Sequence, residues 1–163
     1  MSTKNNAVLD QGFDGIEPMV FESKISVPYS WWAGDTATFF LKGLRDEKKI
    51  RALKCSSCGK TYIPPRKTCP VCFVPNNEWK DLTGVGIVQS FTITRRQLAA
   101  ISKKVPVIYA LIKLDGADTA MLHYIEGISP EEMKIGIKVK AEFAQDRKGT
   151  IQDIAFFKPV KEV

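Results

Sequence analysis

Four cysteines in two Cys-x-x-Cys pairs are the residues of this chain whose spacing indicates chemistry. Cys55 and Cys58 form the first pair, Cys69 and Cys72 form the second, and ten residues separate the pairs. Two short turns that each donate two thiolates can place four sulfurs around one tetrahedral ion. Four thiolates leave no open position for water, so the pattern predicts structural rather than catalytic zinc. Iron in the same cage stays open, because thiolates alone do not select between the two metals.

Disulfides and a thioredoxin-like redox pair are the alternative interpretations of these cysteines. Two disulfides require an oxidising compartment, whereas the sequence begins Met1-Ser2-Thr3-Lys4 without an apolar signal segment. We therefore expect a cytoplasmic protein. A redox pair usually occurs singly beside a βαβ pattern, and that pattern is missing. No apolar stretch approaches the length that spans a bilayer, so no membrane association is expected.

Residues suited to catalysis are scarce. The chain has one histidine, His123, which lies on a predicted strand and is expected to be half-buried there. Histidine is the usual general base near neutral pH, and no nucleophile constellation accompanies it. Tyrosine and carboxylate side chains remain as possible acids or bases. We therefore expect a non-catalytic accessory subunit, with a stand-alone enzyme as the less favoured interpretation.

Positive charge is concentrated in one part of the chain. The net charge is +6, and residues 42–67 hold nine lysines and arginines against two acidic residues. A local positive field suits a polyanion, such as a nucleic acid or the phosphates of coenzyme A. A solvated surface that keeps the protein soluble is the alternative explanation.

An aromatic cluster surrounds the predicted N-terminal helix, which begins at Gly34 or Asp35 and continues through Arg45 to Lys49. Its aromatic members are Trp31, Trp32, Phe39 and Phe40. Packing on the protein's own domain is one explanation. Tryptophan and phenylalanine are also typical anchors of protein–protein interfaces, and we predict that these four residues form a partner surface.

Periodicity divides the chain into an N-terminal arm (1–28), a helix with a metal ribbon (29–78) and a β domain (79–163). The β domain is predicted to contain five strands and one short helical turn at Ser129–Met133. The predicted strands are Gly84–Thr94, Val105–Leu114, Thr119–Ile125, Ile137–Phe143 and Ile151–Phe157. This pattern is mainly β and favours a closed five-stranded barrel of the OB type, with a β-sandwich as the alternative.

The motifs of this chain resemble those of a family catalogued as domain of unknown function thirty-five. Besides the helix, the motifs that carry the resemblance are Cys55-Ser56-Ser57-Cys58-Gly59, Pro64-Pro65-Arg66, Cys69-Pro70-Val71-Cys72, Gly84 to Thr92 and Leu114-Asp115-Gly116. They cover roughly residues 29–158. The departure is Phe73, which stands where the family commonly has glycine and which raises a question about the second turn.

The resemblance implies a rubredoxin-like zinc ribbon, an OB-fold and a role in acyl-CoA and lipid metabolism. Members of this family accompany thiolase-like enzymes, hydroxymethylglutaryl-CoA synthase, or acyl-CoA hydratases and aldolases. They bind acyl-CoA or help to complete the partner's acyl-CoA site. The resemblance therefore implies an acyl-CoA-binding protein that acts as a scaffold for such an enzyme.

Candidate acyl-CoA contacts follow from placement alone. Basic residues near the ribbon and after the first barrel strand are predicted to meet phosphates, and aromatic strand residues are predicted to guide the acyl arm. These candidates are Arg66, Lys67, Phe91, Arg95, Arg96 and Tyr109, with Tyr124 beside them. Single-stranded nucleic-acid binding is the alternative function. It is less favoured because residues 79–163 hold thirteen positive and ten negative side chains.

Overall fold

A computed structural model of the chain describes residues 15, 17, 19–22, 24, 26–97 and 103–160. Much of the predicted arm, 1–28, lies outside these residues. The chain divides into two compact units, residues 1–31 and residues 32–163. In the first unit the rings of Tyr29 and Trp31 lie 5.3 Å apart. The second unit contains the helix, the ribbon and the barrel.

The helical segment consists of an α-helix and a wider turn. Helix α1 spans Asp35–Lys42 and begins after Gly34. A π-helical turn, Gly43–Glu47, follows it and ends at Lys48, whose φ is 55°. A side chain at Gly43 would place its Cβ 3.0 Å from the guanidinium of Arg51. Glycine therefore allows the segment to pack closely over a buried arginine.

The ribbon contains a three-stranded antiparallel sheet. Strand β1 (Ile50–Lys54) is central and pairs with β2 (Thr61–Tyr62) on one side and with β3 (Glu78–Leu82) on the other. The cysteine turns lie in the connections that precede and follow β2. Strand β3 crosses the predicted domain boundary at residue 79, and it completes the sheet of the ribbon.

The remaining five strands close into a barrel, as predicted for an OB-fold. They are β4 (Val85–Thr94), β5 (Val107–Leu114), β6 (Ala120–Ile125), β7 (Lys138–Phe143) and β8 (Ile154–Pro159). Their order around the barrel is β4-β5-β6-β8-β7. Only the β6–β8 contact is parallel among these pairs, and full closure leaves no exposed sheet edge.

Two local predictions in the barrel concern the start of the last strand and the turn at Ser129. The last strand begins at Ile154 rather than Ile151, because Ile151–Asp153 form a 3₁₀ turn. The segment from Ser129 forms a single hydrogen-bonded turn, as predicted. In this turn the Glu132 amide donates to the Ser129 carbonyl at 3.1 Å, and the Ser129 hydroxyl donates to the Glu132 carboxylate at 2.9 Å.

One hydrophobic core joins α1, the ribbon and the barrel. Buried residues of α1 and β1, including Phe40, Ile50 and Ala52, belong to the same cluster as Val88 and Phe157 from the barrel. Within the described residues, no helix is long and apolar enough to cross a membrane. Burial of apolar side chains from all three parts makes the ribbon and the barrel parts of one packed unit.

Hydrogen bonds also connect the ribbon to the β5–β6 turn. Thr61 and Asp118 exchange two bonds of 2.8 Å, from the Thr61 amide to the Asp118 carboxylate and from the Asp118 amide to the Thr61 carbonyl. The Thr119 hydroxyl accepts from the Ile63 amide and donates to the Ile63 carbonyl, both at 2.8 Å. Strand β2 is therefore fixed to the barrel on both sides of Tyr62.

Candidate metal centre and ligand-binding surfaces

The four cysteines converge on one point. Their sulfur atoms all lie within 4.8 Å of one another, no disulfide joins them, and the Cys58 and Cys69 sulfurs are 3.7 Å apart. A tetrahedral ion with metal–sulfur bonds of about 2.3 Å requires sulfur–sulfur distances of about 3.8 Å. The donor set and its spacing therefore fit a four-coordinate zinc ion.

The two cysteine turns share one geometry. In the first, the Gly59 amide donates to the Cys55 carbonyl at 2.9 Å, and Gly59 has a φ of 73°. In the second, the Phe73 amide donates to the Cys69 carbonyl at 2.9 Å, and Phe73 has a φ of 56°. The second turn thus keeps the shape that favours glycine, and Phe73 adopts it with backbone strain.

Tyr62 contacts the metal centre, a role that the sequence analysis did not assign. Its hydroxyl lies 3.2 Å from the Cys69 sulfur, and both side chains are buried. Burial alone would raise the pKa of the Cys69 thiol, yet hydrogen bonds from Tyr62 and from the Cys72 and Val71 amides lower it to about 6. The same bond raises the pKa of Tyr62. These hydrogen bonds therefore favour the thiolate form of Cys69, which is the form that binds a metal ion.

The exposed side of strands β4 to β6, here called the outer face, carries an apolar strip. Leu111 lies opposite Leu122 and Tyr109 lies opposite Tyr124 in the β5–β6 register. The two tyrosine rings are 5.0 Å apart, and Ile87 on β4 is also partly exposed. Burial and the adjacent Tyr124 raise the pKa of Tyr109. Two of the residues predicted to guide an acyl arm, Tyr109 and Tyr124, therefore lie side by side on this strip.

Phe91 does not lie on the outer face, which corrects its predicted role beside Tyr109. Phe91 pairs with the buried Ala110, whereas Thr92 pairs with Tyr109. Neighbouring residues of a strand point to opposite sides of the sheet, and Phe91 packs against the core. The register shift at Gln89 interrupts the alternation of inward-facing and outward-facing side chains along β4, on which the prediction from the sequence depended.

The predicted phosphate contacts lie in two separate parts of the molecule. Arg95 and Arg96 follow β4 and are exposed beside the start of β5. Arg66 and Lys67 are exposed in the ribbon, just after Ile63, which binds the turn beyond the end of β5. An eight-residue strand is roughly 25 Å long, so the two pairs do not converge on one phosphate group.

One of the four aromatic residues that were predicted to contact a partner is buried. Phe40 is 5% exposed and lies in the core, which corrects its assignment because a buried ring offers no area to a partner. Trp31 and Trp32 are each 74% exposed. Phe39 is half-exposed, and its ring lies 4.7 Å from that of Trp79. The exposed aromatic residues are therefore Trp31 in the first unit and Trp32 and Phe39 in the second.

His123 is a buried barrel residue rather than a half-buried one. Its Nε2 lies 3.3 Å from the Ile151 carbonyl oxygen, and its ring packs edge-on against Phe157. Burial lowers its pKa, and the hydrogen bond to the Ile151 backbone opposes that effect. Its Nδ1 has no hydrogen-bond partner within the described part of the chain. Among those residues, His123 forms no hydrogen bond with a cysteine or a carboxylate.

The fold and the cysteine cluster define a protein that combines a zinc ribbon with an OB-fold barrel. Residues 44–78 match the family described as "ChsH2, rubredoxin-like zinc ribbon domain". Residues 79–144 match "ChsH2, C-terminal OB-fold domain". The chain belongs to the DUF35 family, as its cysteine and strand motifs predicted.

Relatives and solved structures agree with this assignment. A "DUF35 domain-containing scaffold protein" of Methanocaldococcus jannaschii is 28% identical over 124 residues, 72% of this chain and 86% of the relative. One of the same name from Pyrococcus furiosus is 28% identical over 101 residues, 62% and 73%. A DUF35 structure from Sulfolobus solfataricus has a TM-score of 0.55 and 31% identity, covering 66% of this chain and 78% of that one.

One similar structure carries the name of an aldolase. It is titled "Ltp2-ChsH2(DUF35) aldolase", and it has a TM-score of 0.59 and 20% identity, with coverage of 74% of this chain and 91% of that chain. At this identity the similarity establishes the shared fold.

Proposed function

We propose that this protein is a non-catalytic subunit that binds acyl-CoA and docks on an acyl-CoA enzyme. The observation that carries the proposal is the outer face, where an exposed apolar strip ends beside the two arginines after β4. An apolar surface next to cations suits an amphiphile that has an acyl arm and a phosphate-bearing head.

The acyl and pantetheine parts are proposed to lie along the strip. Tyr109 and Tyr124 offer flat rings, and Leu111 and Leu122 extend the apolar surface along β5 and β6. The amine of Lys103 lies 4.9 Å from the centre of the Tyr124 ring and is paired with Glu126. Lys103 is therefore occupied, which leaves Arg95, Arg96 and Lys104 as the proposed phosphate contacts at this end.

Contacts with a partner are proposed for three exposed aromatic side chains, Trp31 of the first unit and Trp32 and Phe39 of the second. Large exposed aromatic side chains are frequent anchors in protein interfaces. Two relatives carry the name scaffold protein, and a structure of the same fold is titled an aldolase with a DUF35 component. These names support docking on a partner enzyme, and we propose a thiolase-like, hydroxymethylglutaryl-CoA-synthase-like or aldolase enzyme.

The zinc ribbon is proposed to support the fold rather than to catalyse. The cysteine thiolates fill the coordination shell of a tetrahedral ion, and the ribbon is fixed to the barrel through Thr61, Ile63, Asp118 and Thr119. A bound ion would stabilise both turns. Free thiolates as metal ligands suit a reducing compartment, and we propose a cytoplasmic location.

Calorimetric titration of the zinc-loaded chain with decanoyl-CoA and acetyl-CoA tests the acyl-CoA proposal. We expect saturable binding that is tighter for the longer acyl chain. Leu122→Ser should weaken decanoyl-CoA binding, whereas Ile135→Ser, which changes an aliphatic residue of similar exposure off the outer face, should not. Equal affinity of both variants, or tight binding of a single-stranded oligonucleotide without acyl-CoA binding, would contradict the proposal.

A further inference from the structure

A cleft of about 470 Å³ lies between α1 and the ribbon sheet. We call it the aromatic cleft, because three of its lining residues have large rings. The residues that matter here are Trp32, Phe39, Trp79, Asp35, Lys42 and Asn76. The cleft belongs entirely to the second unit of the chain, and it is distinct from the outer face of the barrel.

One wall of the cleft is made of fixed rings. Phe39 and Trp79 meet edge-to-face at 61°, and the guanidinium of Arg51 lies 4.2 Å from the centre of the Phe39 ring. Arg51 is itself held by Glu47 at 2.6 Å. Trp32 is highly exposed and contributes a second ring surface. Such an arrangement can receive a flat heteroaromatic group by stacking.

The side-chain oxygen of Asn76 is a hydrogen-bond acceptor that receives no hydrogen bond within the described residues. Asn76 is 7% exposed. Its backbone N–H donates to the Lys67 carbonyl, and its side-chain Nδ2 donates to the Arg66 carbonyl, both at 2.8 Å. These bonds fix the side-chain amide. Its Oδ1 is one of two buried side-chain polar atoms without a partner within the described residues. Because buried acceptors are normally satisfied, a ligand in the cleft is expected to bring an N–H donor.

The charge around the cleft favours an anion. Lys42 lines the cleft and forms no ion pair among the residues that the structure describes. Arg66 and Lys67, whose carbonyls hold Asn76, add two exposed cations beside it. Asp35 is the one acidic residue that lines the cleft within the described part of the chain. The segment 42–67 as a whole is strongly basic, which attracts negatively charged ligands.

We propose that the aromatic cleft binds the amino-bearing base of a nucleotide, with adenine as the fitting example. The base stacks against Trp32 and Trp79, its exocyclic amine donates to Asn76 Oδ1 after a small opening of the cleft, and a phosphate pairs with Lys42. This site goes beyond the acyl-CoA surface on the barrel. The adenine can belong to a free nucleotide or to the head of coenzyme A, since both present the same chemistry.

Calorimetric titrations of the zinc-loaded full chain test the ligand chemistry. AMP and coenzyme A should bind, and 4′-phosphopantetheine, which lacks the base, should not compete with AMP. IMP, which carries a carbonyl in place of the exocyclic amine, should bind more weakly than AMP because it presents an acceptor to Asn76 Oδ1. Tighter binding of coenzyme A than of AMP would identify coenzyme A as the source of the base, and the reverse would identify a free nucleotide.

Single substitutions test whether AMP binds in the aromatic cleft. Trp32→Ala should weaken AMP binding about 5- to 150-fold, the range typical of a lost base–aromatic stack. Trp31→Ala is the matched control, because Trp31 is equally exposed but does not line the cleft. Lys42→Gln should weaken binding and reduce its salt dependence, whereas Lys134→Gln on the barrel should do neither. These residues are exposed, so their substitution should preserve folding.

The outcomes separate this inference from the acyl-CoA proposal. Loss of AMP binding in Trp32→Ala, with decanoyl-CoA binding still sensitive to Leu122→Ser, supports two distinct surfaces. AMP binding in the absence of acyl-chain selectivity keeps the cleft and rejects the acyl surface. Absence of AMP and coenzyme A binding, or equal effects of Trp31→Ala and Trp32→Ala, overturns the nucleotide inference.

Discussion

The hydroxyl of Tyr62 lies 3.2 Å from the sulfur of Cys69. Strand β2 holds Tyr62 in place, because its neighbours Thr61 and Ile63 are both hydrogen-bonded to the β5–β6 turn. Groups that bind a metal ligand from outside the coordination shell orient it and tune its donor strength. A residue anchored to the barrel therefore acts on the metal centre of the ribbon.

Tyr62→Phe removes this hydroxyl and keeps the ring. We expect zinc affinity to fall about 10- to 100-fold, the usual effect of losing a partner outside the metal shell. Competition with a chromogenic chelator measures the affinity, and the sulfur-to-metal absorption band of the cobalt-substituted protein should shift. Tyr29→Phe, in an exposed residue, is the control. Unchanged affinity and an unchanged cobalt spectrum would show that the contact is only structural.

Cys58→Ser should abolish tight metal binding and unfold the ribbon, because three thiolates hold zinc far less firmly than four. Metal content and amide hydrogen exchange measure the two effects. Exchange should accelerate at the Gly59 and Phe73 amides, which are hydrogen-bonded within the cysteine turns. Ser57→Ala, beside it in the same exposed turn, is the control. A metal-free variant with full amide protection in these turns would refute the structural role of the ion.

Phe73→Gly should stabilise the zinc-loaded protein by about 0.5–1 kcal/mol. Phe73 has a φ of 56°, which costs about 1–2 kcal/mol in an L-residue, and the greater freedom of unfolded glycine offsets part of the gain. The phenylalanine ring is 81% exposed, so little burial is lost. Urea denaturation measures the change, and Gly59→Ala in the matching turn should destabilise. A destabilised Phe73→Gly would indicate that the exposed ring makes stabilising contacts elsewhere.

Thr119→Val should destabilise the protein by about 1–3 kcal/mol, because the Ile63 amide and carbonyl both lose their hydrogen-bond partner. The two side chains have nearly the same shape, so packing is preserved. Thermal unfolding measures the effect. Thr92→Val, which makes the same change at an exposed position of the outer face, should be nearly neutral. Equal stability of both variants would show that water replaces the Thr119 contacts at no cost.

Stability should fall as pH decreases below about 6.5. Burial lowers the pKa of His123, so the unfolded chain binds a proton at a pH where the folded chain does not, and stability is lost between the unfolded pKa of about 6.5 and the lower folded value. Unfolding midpoints between pH 7.5 and 5.5 measure it. His123 is the one histidine in the sequence, so His123→Gln should reduce the slope in this window. If the variant lost stability with decreasing pH as steeply as the original protein, the pH dependence would arise from other groups, such as the thiolates.

Local sequence patterns determined much of this protein. The metal ligands were predictable because two Cys-x-x-Cys pairs form two short turns whose geometry depends on neighbouring residues. The barrel was predictable because alternating strands and their turns are also local patterns. The family motifs, from Cys55 to Gly116, cover both parts.

Tertiary structure decided which side chains meet. One extra residue in the β4 register turns the Phe91 side chain toward the core, and packing of α1 into the core shared by the ribbon and the barrel buries Phe40. Their positions in the sequence had predicted both as surface aromatic residues. The aromatic cleft joins Trp32 to Trp79 and Asn76 across more than forty residues. The contact of Tyr62 with Cys69 depends on where the barrel holds β2. Side-chain direction and long-range packing depend on registers and contacts between distant segments, and a linear pattern does not encode them.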